Sequence, residues 1–119
     1  LDRQGDVFVL RMDAGENRFL PETITAWNAA LDEVEKASAP KALVTTGSGK
    51  FYSNGLDINW MMEQGPQASQ AFLHDALALI GRVLTLPCYS VAVVDGSGRI
   101  TTPVWASTAF CRAIASMKP

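Results

Sequence analysis

Apolar residues crowd together in "DVFVLRMD" (residues 6–13), and Gly5 and Gly15 bound the run, a pattern that predicts a strand with a turn on either side. The next segment changes period. Ile24, Trp27, Ala30, Leu31 and Val34 recur every three or four residues between Pro21 and Pro40. That spacing predicts an amphipathic helix that opens on one proline and stops before the other. "KALVTTG" (41–47) is a short β-branched run closed by glycine and predicts a second strand. A second helical pattern runs from Gln67 to Leu84, with Phe72, Leu73, Leu77, Ile80 and Leu84 on one stripe, and Pro87 ends it. "YSVAVVDG" (89–96) then predicts a third strand, whose unbroken Val and Ala content implies burial on both faces.

Strand, helix, strand, helix, strand is the order of right-handed crossovers between parallel strands. The fold class expected is therefore α/β. "SGRITTPVWASTAFCRAIASMKP" (97–119) fits no element cleanly, because Pro103 and the pair Thr101–Thr102 oppose an early helix start.

Composition narrows the functions. A chain of 119 residues with 48% hydrophobic content has the size of one domain. Ten basic against 12 acidic residues give a net charge of −2 with no run of like charges, which argues against nucleic acid or an anionic membrane as partner. No apolar stretch is long enough to span a bilayer. Cys88 and Cys111 have no ligand spacing and read as reduced, core-like thiols of an intracellular protein. The compartment expected is the cytoplasm, or the peroxisome in a eukaryotic source, although "MKP" is no peroxisomal address. Leu at position one and the plain ending "ASMKP" are what two cuts through a longer protein would leave.

Sites in parallel sheets sit in loops beyond the carboxyl ends of the strands, here 13–20, 47–60 and 95–102. A phosphate loop in the middle one would need Gly at 44 and Ser or Thr at 51, and the chain has Val44 and Phe51. A nucleophile elbow fails because no glycine stands two residues before Ser53. His74 is the only histidine and falls inside the second helical pattern, so it reads as an ordinary helix residue. One histidine, two distant cysteines and scattered carboxylates make no metal cluster. Trp60, Met61 and Met62 read as core in preference to the lining of a tunnel.

Asn54–Gly55 is the ambiguous pair. Asn-Gly is the strongest short hairpin signal. However, "LDINWMM" lacks the alternation of a returning strand, and its apolar residues at 56, 58, 60 and 61 suit a short helix or irregular lid. A loop that turns sharply into a helix leaves N–H groups unpaired. An oxyanion needs such donors.

Three blocks, in order, resemble the crotonase superfamily of enoyl-CoA hydratases and isomerases. "ENRFLPETI" (16–24) resembles N-A-L-S-P-E-L, with Asn17, Pro21 and Glu22 in place; "KALVTTGSGKFYSNGLDI" resembles its strand followed by G-x-G-x-x-F-[SC]-x-G-x-D-[LI]; and "LPCYSVAVVDG" (86–96) resembles L-P-K-P-T-I-A-A-V-N-G. The S-N-G-x-D variant followed by Trp is most similar to enoyl-CoA delta isomerases of plant and peroxisomal type. The resemblance implies residues 1–96 as a crotonase-like amino-terminal part of a ββα spiral and residues 97–119 as a divergent or truncated tail, the whole being incomplete at its carboxyl end.

By the same resemblance, Leu56 gives its backbone N–H to the thioester carbonyl, and Gly55 lets chain and ligand approach. Asn54, Asp57 and Ile58 would flank the acyl group, with Lys50, Arg18 and Glu16 near the pantetheine and adenine end. The family's glycine triplet, source of the second N–H, is matched here by Ile100-Thr101-Thr102, so the second donor position is Thr101. The implied partner is an acyl-CoA thioester whose coenzyme A travels on the substrate, with no other cofactor. An intact member is expected to be a homotrimer. The alternative expectation is a non-catalytic acyl-CoA-binding or structural fragment.

Overall fold

The strand predicted over 6–13 organises the sheet. A computed structural model of the chain describes residues 1–38 and 41–94. Its elements are β1 (Asp2–Gln4), β2 (Val7–Met12), α1 (Pro21–Lys36), β3 (Ala42–Gly47), α2 (Ile58–Gln64), α3 (Pro66–Leu84) and β4 (Tyr89–Val93). The four strands lie in the order β1-β2-β3-β4. β2 and β3 pair parallel, as do β3 and β4, as the crossover order requires.

The sheet is nevertheless mixed. β1 returns antiparallel on β2 through the two-residue turn Gly5–Asp6, where Gly5 takes φ +62°. Three residues are too few to show an alternation, so only the Gly-Asp turn announced this strand.

Phe8, Leu10 and Met12 alternate on one face of β2, and the parallel register carries that face across to Leu43 and Thr45 on β3. α1 presents Ile24, Trp27, Leu31 and Val34 to the same core, as its period predicted. α3 contributes Phe72, Ala76 and Leu79, and the arrangement is stapled by Arg82. From α3 its guanidinium donates to the Asn28 carbonyl (3.1 Å) and side-chain oxygen (2.9 Å) and to Asp32 and Glu35, all on α1. With half-exposed acids as partners, this network contributes on the order of 1 kcal/mol.

Two expectations require correction. On α3 the buried stripe is Phe72, Ala76 and Leu79, whereas Leu77, Ile80 and Leu84 are 60%, 56% and 80% exposed. A helix this apolar carries two candidate stripes, and period alone does not choose between them. β4, expected to be buried on both faces, is exposed or half-buried along its length. Residues 95–100, the expected end of that strand and the boundary near 96, lie outside the described residues.

The exposed α3 stripe generates a prediction. Each of Leu77, Ile80 and Leu84 forgoes much of the roughly 1.5–3 kcal/mol that full burial supplies. β4, moreover, has no strand on its outer edge among the described residues. The 119-residue chain is expected to self-associate in size-exclusion chromatography. A sharp monomer peak with a cooperative thermal transition above about 55 °C would count against this.

Candidate functional site

The loops that follow β2 and β3 meet at Asn17. It is 2% exposed and adopts φ +51°, a left-handed conformation that asparagine tolerates better than most residues. Its Oδ1 accepts from the Ala14 N–H (2.8 Å), and its Nδ2 donates to the Phe51 carbonyl (2.8 Å). Its own carbonyl accepts from Ser53 Oγ (2.8 Å). One buried amide thus holds the turn after β2 against the loop after β3. Gly47 makes room for it, because a Cβ there would lie 2.8 Å from Tyr52 Cα and 3.0 Å from Asn17 Nδ2.

The second loop is neither a hairpin nor a phosphate cradle. Phe19 and Leu56 form an isolated parallel bridge: Phe19 N–H donates to Gly55 (2.8 Å) and Asp57 N–H to Phe19 (3.0 Å). Gly55 takes φ +78°, which turns the chain toward α2, and Asp57 caps that helix by accepting from the Trp60 N–H (3.0 Å). The Asn54 N–H donates to the Glu16 carbonyl and the Gly55 N–H to Ser53 Oγ. Of the four amides from Asn54 to Asp57, that of Leu56 alone has no acceptor among the described residues.

Leu56 and Gly55 line a cavity of about 410 Å³ between the helices and the sheet. Trp27 from α1, Leu79, Ile80 and Val83 from α3, and Ser90, Val91 and Ala92 from β4 complete most of its wall. The lining is chiefly apolar, suited to a hydrocarbon guest with a few fixed polar contacts.

The remaining expected site residues cluster less tightly. Glu16, Arg18 and Asn54 do come together: Arg18 Nε donates to the Glu16 carboxylate (2.6 Å), and Asn54 Nδ2 lies 3.5 Å from it. The Arg18 guanidinium first, and the Asn54 amide second, hold the Glu16 carboxyl below the usual carboxylate range. Lys50 is exposed, with its ammonium 5.3 Å from the Phe51 ring centre. Ile58 is 53% exposed on α2, away from the core. Thr101 lies outside the described residues. Among those described, no His, Cys, Asp or Glu cluster could hold a metal, and no helix is long and apolar enough to cross a membrane. His74, with its side chain 83% exposed, is the ordinary helix residue expected.

Sequence reasoning passed over Tyr52, Thr45 and Trp27 as cavity residues, because no local motif marks them. Of the cluster 60–62, Trp60 packs edge-on against Phe72 (5.2 Å) and Met61 joins the core, whereas Met62 is 71% exposed.

The family model described as Enoyl-CoA hydratase/isomerase matches residues 2–101. The chain belongs to the enoyl-CoA hydratase/isomerase family. It is 33% identical over 103 residues to enoyl-CoA delta isomerase 2, peroxisomal, of Arabidopsis thaliana, covering 81% of this chain and 43% of that protein. It is 32% identical to a putative enoyl-CoA hydratase of Thermus thermophilus, covering 78% and 39%. Among solved structures, it superposes on a probable enoyl-CoA hydratase of Mycobacterium tuberculosis with TM-score 0.70 at 30% identity, over 76% of this chain and 38% of that one. An enoyl-CoA hydratase of Geobacillus kaustophilus gives TM-score 0.73 at 19% identity, a likeness of fold. The fold is that of the crotonases, and the chain spans about two fifths of the length of these family relatives.

Two outcomes are expected of the loop contacts. Asn17→Ala strands the Ala14 N–H and the Phe51 carbonyl and sets alanine at positive φ, so it should cost roughly 2–4 kcal/mol in denaturant unfolding. The Glu16 carboxyl should titrate below an ordinary glutamate by NMR. Because its folded pKa is depressed, the Glu16–Arg18–Asn54 link contributes above the ordinary glutamate pKa and is lost as pH falls through the lowered one.

Proposed function

We propose that the chain carries the thioester-binding part of an acyl-CoA enzyme that stabilises an enolate during double-bond isomerisation in fatty acid metabolism. One observation carries the reading: the Leu56 N–H, without an acceptor among the described residues, belongs to a residue that lines an apolar cavity. A thioester carbonyl seated there would accept that hydrogen bond, and more strongly as charge gathers on its oxygen in the enolate. Gly55 supplies the bend, while Asp57 and Asn54 fix the loop around the donor. The exposed charges of Glu16, Arg18 and Lys50 suit the polar coenzyme A end of the substrate, which needs no further cofactor. Isomerisation is favoured over hydration by the likeness to two Arabidopsis proteins named as enoyl-CoA delta isomerases, at 33% and 32% identity.

The reading places the protein in the cytoplasm, or in the peroxisome of a eukaryote. It assigns residues 1–96 to the crotonase-like part and 97–119 to a divergent tail, and it gives an intact member a homotrimeric assembly. Thr101 holds the sequence position where the second donor is expected, and a β-branched residue is a poor choice for a place of close ligand approach. This 119-residue chain should therefore turn over slowly, since loss of one oxyanion donor costs about 100- to 1000-fold. That substitution also favours a second reading, a non-catalytic acyl-CoA-binding module.

Calorimetry with coenzyme A and octanoyl-CoA, beside an assay of 3-enoyl-CoA isomerisation, tests both. Octanoyl-CoA is expected to bind more tightly than coenzyme A, with turnover at least 100-fold below that of an Arabidopsis isomerase. Affinity for neither ligand would sink both readings. Full turnover would overturn the impairment.

A further inference from the structure

The wall of the apolar cavity carries hydrogen-bonding capacity that a pure hydrocarbon chain would waste. Thr45 on β3 is 5% exposed, and its hydroxyl lies 2.8 Å from that of Tyr52; both residues line the cavity. Two hydroxyls bring two hydrogens, and their mutual bond uses one. The other has only the Val91 carbonyl, 3.5 Å from Thr45 Oγ1, a separation well beyond a normal O–H···O bond. When Thr45 donates to Tyr52 instead, the Tyr52 hydrogen has no acceptor among the described residues.

Trp27, 7% exposed, also belongs to the cavity lining, but its Nε1–H, without a partner among the described residues, is itself fully buried and out of reach of a guest. The cavity therefore combines apolar walls with one unspent hydroxyl hydrogen.

We propose that the Thr45–Tyr52 hydroxyl pair selects acyl groups that carry an oxygen atom within the chain, so that this cavity prefers oxygenated acyl thioesters to simple alkyl ones. The inference rests on the acyl-CoA reading of the cavity and adds the chemistry of the acyl group. Selectivity follows from an asymmetry: a site built to hydrogen-bond one atom leaves its own polar groups unpaired against an analogue that lacks it. A wall without spent or unspent hydroxyls would have the opposite preference, because burying an ether oxygen among apolar groups is unfavourable.

The test uses the whole chain, octanoyl-CoA, and a set of ether analogues in which one chain methylene after another is replaced by oxygen. Affinities are measured by calorimetry for the native chain and for the double variant Tyr52→Phe/Thr45→Val, with Tyr52→Phe/Thr45→Ala in its place should the first unfold, the fold of each being checked by circular dichroism. At least one ether analogue is expected to bind about tenfold more tightly than octanoyl-CoA, the worth of one regained hydrogen bond. In the double variant the ratio of ether-analogue to octanoyl-CoA affinity should fall to about one or below, because either hydroxyl left alone would keep a hydrogen to donate. Ether analogues that all bind no better than octanoyl-CoA overturn the proposal and leave the acyl-CoA reading intact. An advantage that survives in a folded variant lacking both hydroxyls overturns the assignment to this pair. Failure of octanoyl-CoA and of every ether analogue to bind removes both readings.

Discussion

The site depends on one buried amide. Asn17 satisfies the Ala14 N–H, the Phe51 carbonyl and, through its own carbonyl, the Ser53 hydroxyl, and so binds two loops whose bonded residues Asn17 and Phe51 are 34 apart in sequence. Alanine in its place would strand polar backbone in the interior, where an unmet donor or acceptor costs more than a formed bond contributes. With Asn17 in place, the Phe19–Leu56 bridge can form, and that bridge fixes the direction of the Leu56 amide. A turn held by neighbours on both sides leaves a single donor over, which is how a backbone becomes a preorganised site without a special side chain.

Below those loops, the sheet and two helices enclose a space that they do not fill. Phe8, Leu10, Met12 and Leu43 close one end with α1 and the buried stripe of α3. Toward β4 the packing opens into the cavity, with Ile80 and Leu84 at its wall and largely exposed. The same apolar surface thus serves the cavity and faces solvent. Arg82 limits how far α1 and α3 can part, because its guanidinium reaches three side chains and one carbonyl of α1.

Polar groups in such a cavity act strongly because little water competes with them. The Thr45–Tyr52 hydroxyls belong to residues of its wall, as does the Leu56 amide.

Much of this was legible in the residues themselves. The α1 stripe, the parallel pairing of β2, β3 and β4, and the turn at Asn54–Gly55 follow from local period and turn chemistry, which depend on near neighbours in sequence. The resemblance of "SNGLD" to an oxyanion loop was legible too, because it is a contiguous motif. What only the tertiary structure decided is which of two apolar stripes on α3 is buried, that β4 is not covered on both faces, and that β1 folds back antiparallel. Each is a choice between surfaces of nearly equal hydrophobicity or lengths too short to carry a period, and a neighbouring element makes it. The meeting of Asn17 with Phe51, and of Thr45 with Tyr52 beside Trp27, belongs to the same class: hydrogen bonds between distant residues leave no periodic trace in a sequence, since their partners become neighbours only when the chain has folded.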